Sequence, residues 1–121
     1  MKTNLVNALS AFSGGLAVIL GALAAHALHD TLESAGHLES WNTAALYHLT
    51  HSILALVVAM AGYRKIAWSL LLGILLFSGS IYLLCLVEGV SWLGPITPLG
   101  GLLLIGAWFA LGVTFCQKRK S

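Results

Sequence analysis

The chain is short of charge. Asp, Glu, Lys and Arg make up only 8% of its 121 residues, while 59% are hydrophobic. A soluble domain carries about 25% charged residues, so this chain could not cover its apolar interior in water. The bilayer is its natural solvent. The net charge of +2 is small, and no basic run is interleaved with aromatics; together these set nucleic acid aside as a partner. Cysteine is scarce. Cys85 and Cys116 would fall at opposite ends of neighbouring antiparallel helices, whereas a disulfide needs Cα atoms within about 7 Å. Intrachain pairing is therefore excluded, and no redox compartment is indicated. Proline occurs twice, at Pro95 and Pro98, both in one corner of the chain. No Ser-His-Asp set, no C-x-x-C and no phosphate-cradling glycine loop stands out. Without a nucleophile-base pair, no enzyme is expected and no cofactor is called for.

What the chain has is apolar runs. Four of them, about 5–28, 41–62, 66–87 and 97–116, are each long enough to cross the hydrocarbon as a helix of about 20 residues. The expected fold is all-α: one transmembrane domain, a four-helix bundle with a polar outer loop over 29–40. A signal-peptide reading of the first run finds only Lys2 as a basic region and Ala25-His26-Ala27 as a cleavage-like site, so the run is expected to remain as a span. Within the loop, Leu28, Leu32, Ala35 and Leu38 recur at helical spacing, which predicts a short interfacial helix. Thr97-Pro98 reads as an N-cap followed by proline at the first helical position.

The few charges sort by side. Lys2, Arg64, Lys65, Lys118, Arg119 and Lys120 all fall on one side of a four-span arrangement, and Asp30, Glu33, Glu39 and Glu88 on the other. The positive-inside rule then places both termini in the cytoplasm. Trp41 and Trp92 are expected in the outer aromatic belt, Tyr63 and Trp68 in the inner one. Trp108, deep in the fourth run, is expected to pack.

Small residues mark contact faces between helices in lipid. Ser10, Gly14, Ala17, Gly21 and Ala24 form a stripe on the first run. Ala44, His48, His51, Ala55, Ala59 and Gly62 share a face of the second, turning both histidines inward. Ser69, Gly73 and Ser80 do the same on the third. No carboxylate or basic residue lies mid-span, where a proton-coupled exporter would be expected to carry an acid. The ionisable groups at depth are histidines, His48 and His51 lying about 10–15 Å below Trp41 at 1.5 Å per residue. With His26, Tyr47, Ser78, Ser80, Tyr82 and Thr97 they define a candidate polar layer in the outer half. Three readings are open for it: hydrogen bonds between helices, a metal site drawn from His26, His48 and His51, or a path for a proton or small polar ligand. His29, Glu33 and His37 are spaced for one helical face, as a solvated loop face or a surface Zn²⁺ site.

Several motifs carry a family likeness. They are Gly21-Ala22-Leu23-Ala24-Ala25-His26-Ala27-Leu28, Trp41-Asn42-Thr43-Ala44 with Tyr47 and His51, Phe77-Ser78-Gly79-Ser80-Ile81-Tyr82, and Leu93-Gly94-Pro95-Ile96-Thr97-Pro98-Leu99-Gly100-Gly101. Together they resemble the YgdD-like family of small uncharacterised inner-membrane proteins, along nearly the whole chain. The resemblance implies four spans and residence in the bacterial inner membrane, and no activity. That family often has glutamine where this chain has His48, so the resemblance favours His26 and His51. The reading carried forward is a small helper or packing protein that binds membrane lipid, a membrane protein partner or a second copy of itself. The alternative is an oligomeric transporter or channel for a proton or small solute.

Overall fold

The computed structural model describes residues 4–118; Lys2, Arg119 and Lys120 lie outside them. All regular elements among the described residues are helical. They are α1 (Leu5–Ala25), α2 (His29–Ser34), α3 (Leu38–Met60), α4 (Arg64–Ile74), α5 (Ser80–Leu86) and α6 (Ile96–Lys118). One π-helical turn, Leu75–Gly79, joins α4 to α5 in a single third span. A 3₁₀ turn, Ser91–Leu93, precedes α6. Among the described residues, four helices are long and apolar enough to cross a membrane, Leu5–Ala25, Leu38–Met60, Arg64–Leu86 and Ser91–Lys118.

The ends of these helices follow local chemistry. The α2–α3 and α3–α4 connections turn at Gly36 and Gly62, whose φ values of 76° and 97° lie where side chains are strained. α3 begins three residues before the expected start of its run, at Leu38. This places Trp41 one turn inside the helix. Trp41 is fully buried, not in the outer belt: its indole N–H donates to the Leu20 carbonyl at 2.8 Å, and its ring meets Tyr82 at 4.8 Å between centroids. α6 likewise begins before Thr97, at Ile96. Thr97 is therefore no cap; its hydroxyl lies 2.5 Å from that of Ser80. Trp92 is exposed, at 65%, as an interfacial residue would be.

α1 lies against α3, α3 against α4, and α4 with the π turn against α6. Two apolar clusters stack along the bundle. One holds Val6, Ala55, Val58, Leu70, Ile74, Leu104 and Leu111, the other Ala24, Leu32, Trp41, Ala44 and Tyr82. Small residues bring the backbones together, as helix association in lipid requires. The closest approach is Gly100. A Cβ there would sit 2.7 Å from the Leu76 carbonyl carbon and 2.8 Å from the Phe77 Cα, so α6 rests directly on the backbone of the π turn. Gly106 and Gly112 of the same helix would meet nothing within 4 Å.

The described charges divide between the two ends. Arg64 and Lys65 start α4, and Lys118 ends α6 over the Tyr63 ring at 4.9 Å. Asp30 and Glu33 on α2, Glu39 on α3 and Glu88 after α5 occupy the opposite end. Cys85 and Cys116 are free thiols.

Candidate functional site

Between the two apolar clusters the polar side chains form short, directed hydrogen-bond chains. The main one crosses three spans. Ser52 Oγ donates to the His48 carbonyl at 2.6 Å. A serine has one proton to give, so the 2.7 Å contact between Ser13 and Ser52 must be donated by Ser13. Ser13, its proton spent, accepts from His48 Nε2 at 3.1 Å. A neutral imidazole carries one N–H, so His48 Nδ1 accepts the Tyr82 hydroxyl at 3.0 Å. The order Tyr82, His48, Ser13, Ser52 and back to the His48 carbonyl leaves every one of these protons on an acceptor. Burial requires this, because an orphaned donor costs about 1–3 kcal/mol.

His51 sits in a second chain on another side of α3. The Trp108 indole donates to His51 Nε2 at 3.1 Å. Indole N–H can only donate, so Nε2 accepts and Nδ1 carries the hydrogen, which it gives to the Tyr47 carbonyl at 2.8 Å. The Tyr47 ring stacks on His51 at 5.7 Å, and its own phenol is half-exposed. Tyr47 thus contributes its backbone and its face. Trp108 packs on His51 edge-on while half of it stays exposed.

Three further hydroxyls link the third span to its neighbours. Ser78 donates to the Ala44 carbonyl of α3 at 2.8 Å. Thr97 meets Ser80 at 2.5 Å, and Ser80 in turn reaches the Phe77 carbonyl at 2.9 Å.

Of the residues expected in the polar layer, His48 and Tyr82 meet directly, His51 meets Tyr47, and Ser80 meets Thr97. His26 joins none of them. It closes α1 through its backbone N–H and is exposed. His48 and His51 turn to different partners, so His26, His48 and His51 do not converge on one ion. Ser13, Ser52 and Trp108 were not among the expected site residues. Ser52 stands one helical turn beyond His48 and Ser13 nearly one turn beyond Ser10, on faces that small residues already marked. Trp108 carried only the general signal that an indole N–H in apolar surroundings finds a partner.

On the acidic end, His29, Asp30 and Glu33 place their ligand atoms within 4.8 Å of one another. His29 Nδ1 lies 3.4 Å from Asp30 and 3.5 Å from Glu33. His37 is not in this group; it precedes α3, and its carbonyl lies 3.9 Å from the Cys85 thiol.

Among the described residues several recesses border the layer, one of about 520 Å³ beside Tyr47, His51 and Trp108. A groove of about 510 Å³ runs between α1 and the third span. Its walls are Leu9, Phe12, Leu16, Leu72 and Leu75, and His48 with Ser13 and Tyr82 lies at its floor. A pocket of about 460 Å³ lies at the acidic end, between the start of α3, α5 and the start of α6.

Residues 20–101 match a family described as "Protein of unknown function (DUF423)". The chain is 38% identical over 113 residues to the UPF0382 membrane protein YwdK of Bacillus subtilis, spanning 87% of this chain and 90% of that one. It is 41% identical over 110 residues to a UPF0382 membrane protein of Haemophilus influenzae, spanning 85% and 86%. A UPF0382 membrane protein of Schizosaccharomyces pombe is 40% identical over 107 residues, spanning 82% and 91%. No solved structure matches the chain.

Proposed function

The chain belongs to the DUF423 family of membrane proteins of unknown function, and we propose that it is a non-enzymatic helper that holds a lipid chain in its lateral groove. The observation that carries this reading is the groove between α1 and the third span. Phe12, Leu16, Leu72 and Leu75 line it and are each about half-exposed or more. In a bilayer those side chains face hydrocarbon, and an acyl chain is the apolar partner at hand. The hydrogen-bonded chain at its floor holds Ser13 of α1 to His48 of α3, keeping the groove's shape. A small protein built this way would retain a lipid or present it to a membrane partner. Its home would be the bacterial inner membrane with both ends in the cytoplasm. The supporting feature is the clustering of Arg64, Lys65 and Lys118 at one end.

The test is lipid retention by the purified full-length protein, read by native mass spectrometry. Wild type is expected to keep bound lipid through delipidation, and the groove-filling variants Leu16→Trp and Leu72→Trp to lose most of it while staying folded. Unchanged retention in both variants would sink the groove reading. Proton or solute flux in proteoliposomes that vanishes in His51→Leu would favour a transporter instead.

A further inference from the structure

In the groove between α1 and the third span, apolar walls surround a floor of fixed polarity. Ser13, His48 and Tyr82 make that floor; His48 and Tyr82 are buried and Ser13 is half-buried. Each of their polar hydrogens is already committed. Tyr82 gives its proton to His48 Nδ1, His48 Nε2 gives its own to Ser13, and Ser13 gives its own to Ser52. What remains is lone pairs. A hydroxyl oxygen has two: Ser13 Oγ spends one on His48 and keeps one, and Tyr82 Oη keeps both. The floor therefore accepts hydrogen bonds and donates none. Among the described residues lining the groove, Trp68 is the other polar side chain. It lies one turn into α4 at the basic end, where an interfacial indole N–H belongs.

Depth narrows the ligand further. At 1.5 Å per residue, Ser13 lies about 12 Å along α1 from Leu5 and about 18 Å from Ala25, near the middle of the span. A phosphate, an ammonium or an ionised carboxylate is costly there. A neutral O–H is tolerated once it finds an acceptor. The carbonyl of an ester or a carboxylic acid would find no donor at this floor and would stay unpaired. Resting on the reading of this groove as a lipid site, we propose that its occupant is an uncharged long-chain alcohol. The alcohol donates its single O–H to the Ser13 or Tyr82 oxygen and lays its chain along Phe12, Leu16, Leu72 and Leu75. The walls select for an apolar chain, and the floor selects for a donor at its end.

The experiment titrates the full chain, in a detergent without hydroxyl groups, with hexadecanol or with hexadecyl methyl ether, and reads binding by native mass spectrometry. The two probes share a chain, but only the alcohol has a hydrogen to donate. Wild type is expected to bind the alcohol more tightly by about threefold to tenfold, the scale of one net hydrogen bond. Ser13→Ala removes the acceptor of the His48 Nε2 hydrogen and so frees one donor at the floor. The ether should then gain affinity until the preference disappears, a change that mere loosening of the groove would not produce. Ser13→Thr keeps the hydroxyl and should keep the preference; circular dichroism checks the folding of both variants. Leu16→Trp fills the groove and should weaken both probes alike. Equal binding of the two probes in wild type, lost in Leu16→Trp, would leave the groove a lipid site and overturn the alcohol. So would a Ser13→Ala variant that binds the ether as weakly as wild type does. Binding of neither probe, or binding indifferent to Leu16→Trp, overturns both readings.

Discussion

His48 and His51, neighbours on one helix, hold opposite tautomers. His48 carries its hydrogen on Nε2 because Ser52 commits its only proton to the His48 carbonyl. His51 carries its hydrogen on Nδ1 because Trp108 can only donate. Solid-state NMR of ¹⁵N-histidine-labelled protein in bilayers should resolve one Nε2-protonated and one Nδ1-protonated buried ring. Two identical tautomers would break the assigned hydrogen-bond directions.

Removing a member of the His48 chain should cost more than a single average membrane hydrogen bond of about 0.6 kcal/mol, since it orphans a buried neighbour. His48→Leu strands the Tyr82 hydroxyl and removes the donor to Ser13. The expected loss is about 1–3 kcal/mol in equilibrium unfolding. Adding Tyr82→Phe to it should recover part of that loss, because two apolar groups replace both partners. Simple additivity of the two substitutions would show that they do not share a chain.

The two faces of α6 should respond in opposite senses to one methyl group. Gly100→Ala drives a Cβ into the backbone of Leu76 and Phe77; the helices must separate, and folded yield should collapse. Gly106→Ala meets nothing and should be neutral or stabilising by up to about 1 kcal/mol through helix propensity. Thermal unfolding in detergent compares them. Equal tolerance at both positions would disprove the close approach of α6 to the π turn.

The tryptophans divide likewise. Trp41→Ala empties a fully buried site and should cost about 3–5 kcal/mol. Trp92→Ala, at an exposed position, should change stability by no more than about 0.5 kcal/mol. A reversed ranking in chemical unfolding would mean that Trp41, not Trp92, is the interfacial residue.

Sidedness is open to direct measurement. A reporter joined after Ser121 should be active only in the cytoplasm, and one inserted between Gly36 and His37 only outside it. Arg64→Glu with Lys65→Glu should weaken that orientation, because the positive-inside rule counts lysine and arginine in short connections. A reporter after Ser121 that lights up outside the cell overturns the topology.

Much of this bundle was legible in advance because the bilayer leaves few choices. Apolar runs of spanning length must be helices there, and the small-residue faces of the first and second spans do bury Ser10, Ala17, Ala24, Ala44 and Ala55. Partner identity was less legible. Period placed His48 and His51 on one inward face, but a face is about 100° wide, and two residues on it can address different neighbours. His26 marks a second limit. The first helix stops at Ala25, so the apolar pattern continued past the helix that was to carry His26 inward. Trp41 marks a third: an indole near a helix start serves equally well at an interface or against Tyr82, and only tertiary packing chooses.

The π turn at Leu75–Gly79 gives the third span a property the other three do not share. Ahead of it α4 presents Gly73 to α6; behind it Ser80 and Tyr82 address Thr97 and His48. An α-helix advances about 100° per residue, so shortening this turn by a single residue would swing Ser80 and Tyr82 away from both partners, even with every remaining side chain unchanged. At this point the chain is read by counting: the length of the segment, rather than its chemistry, keeps the two halves of the span in phase with the rest of the bundle.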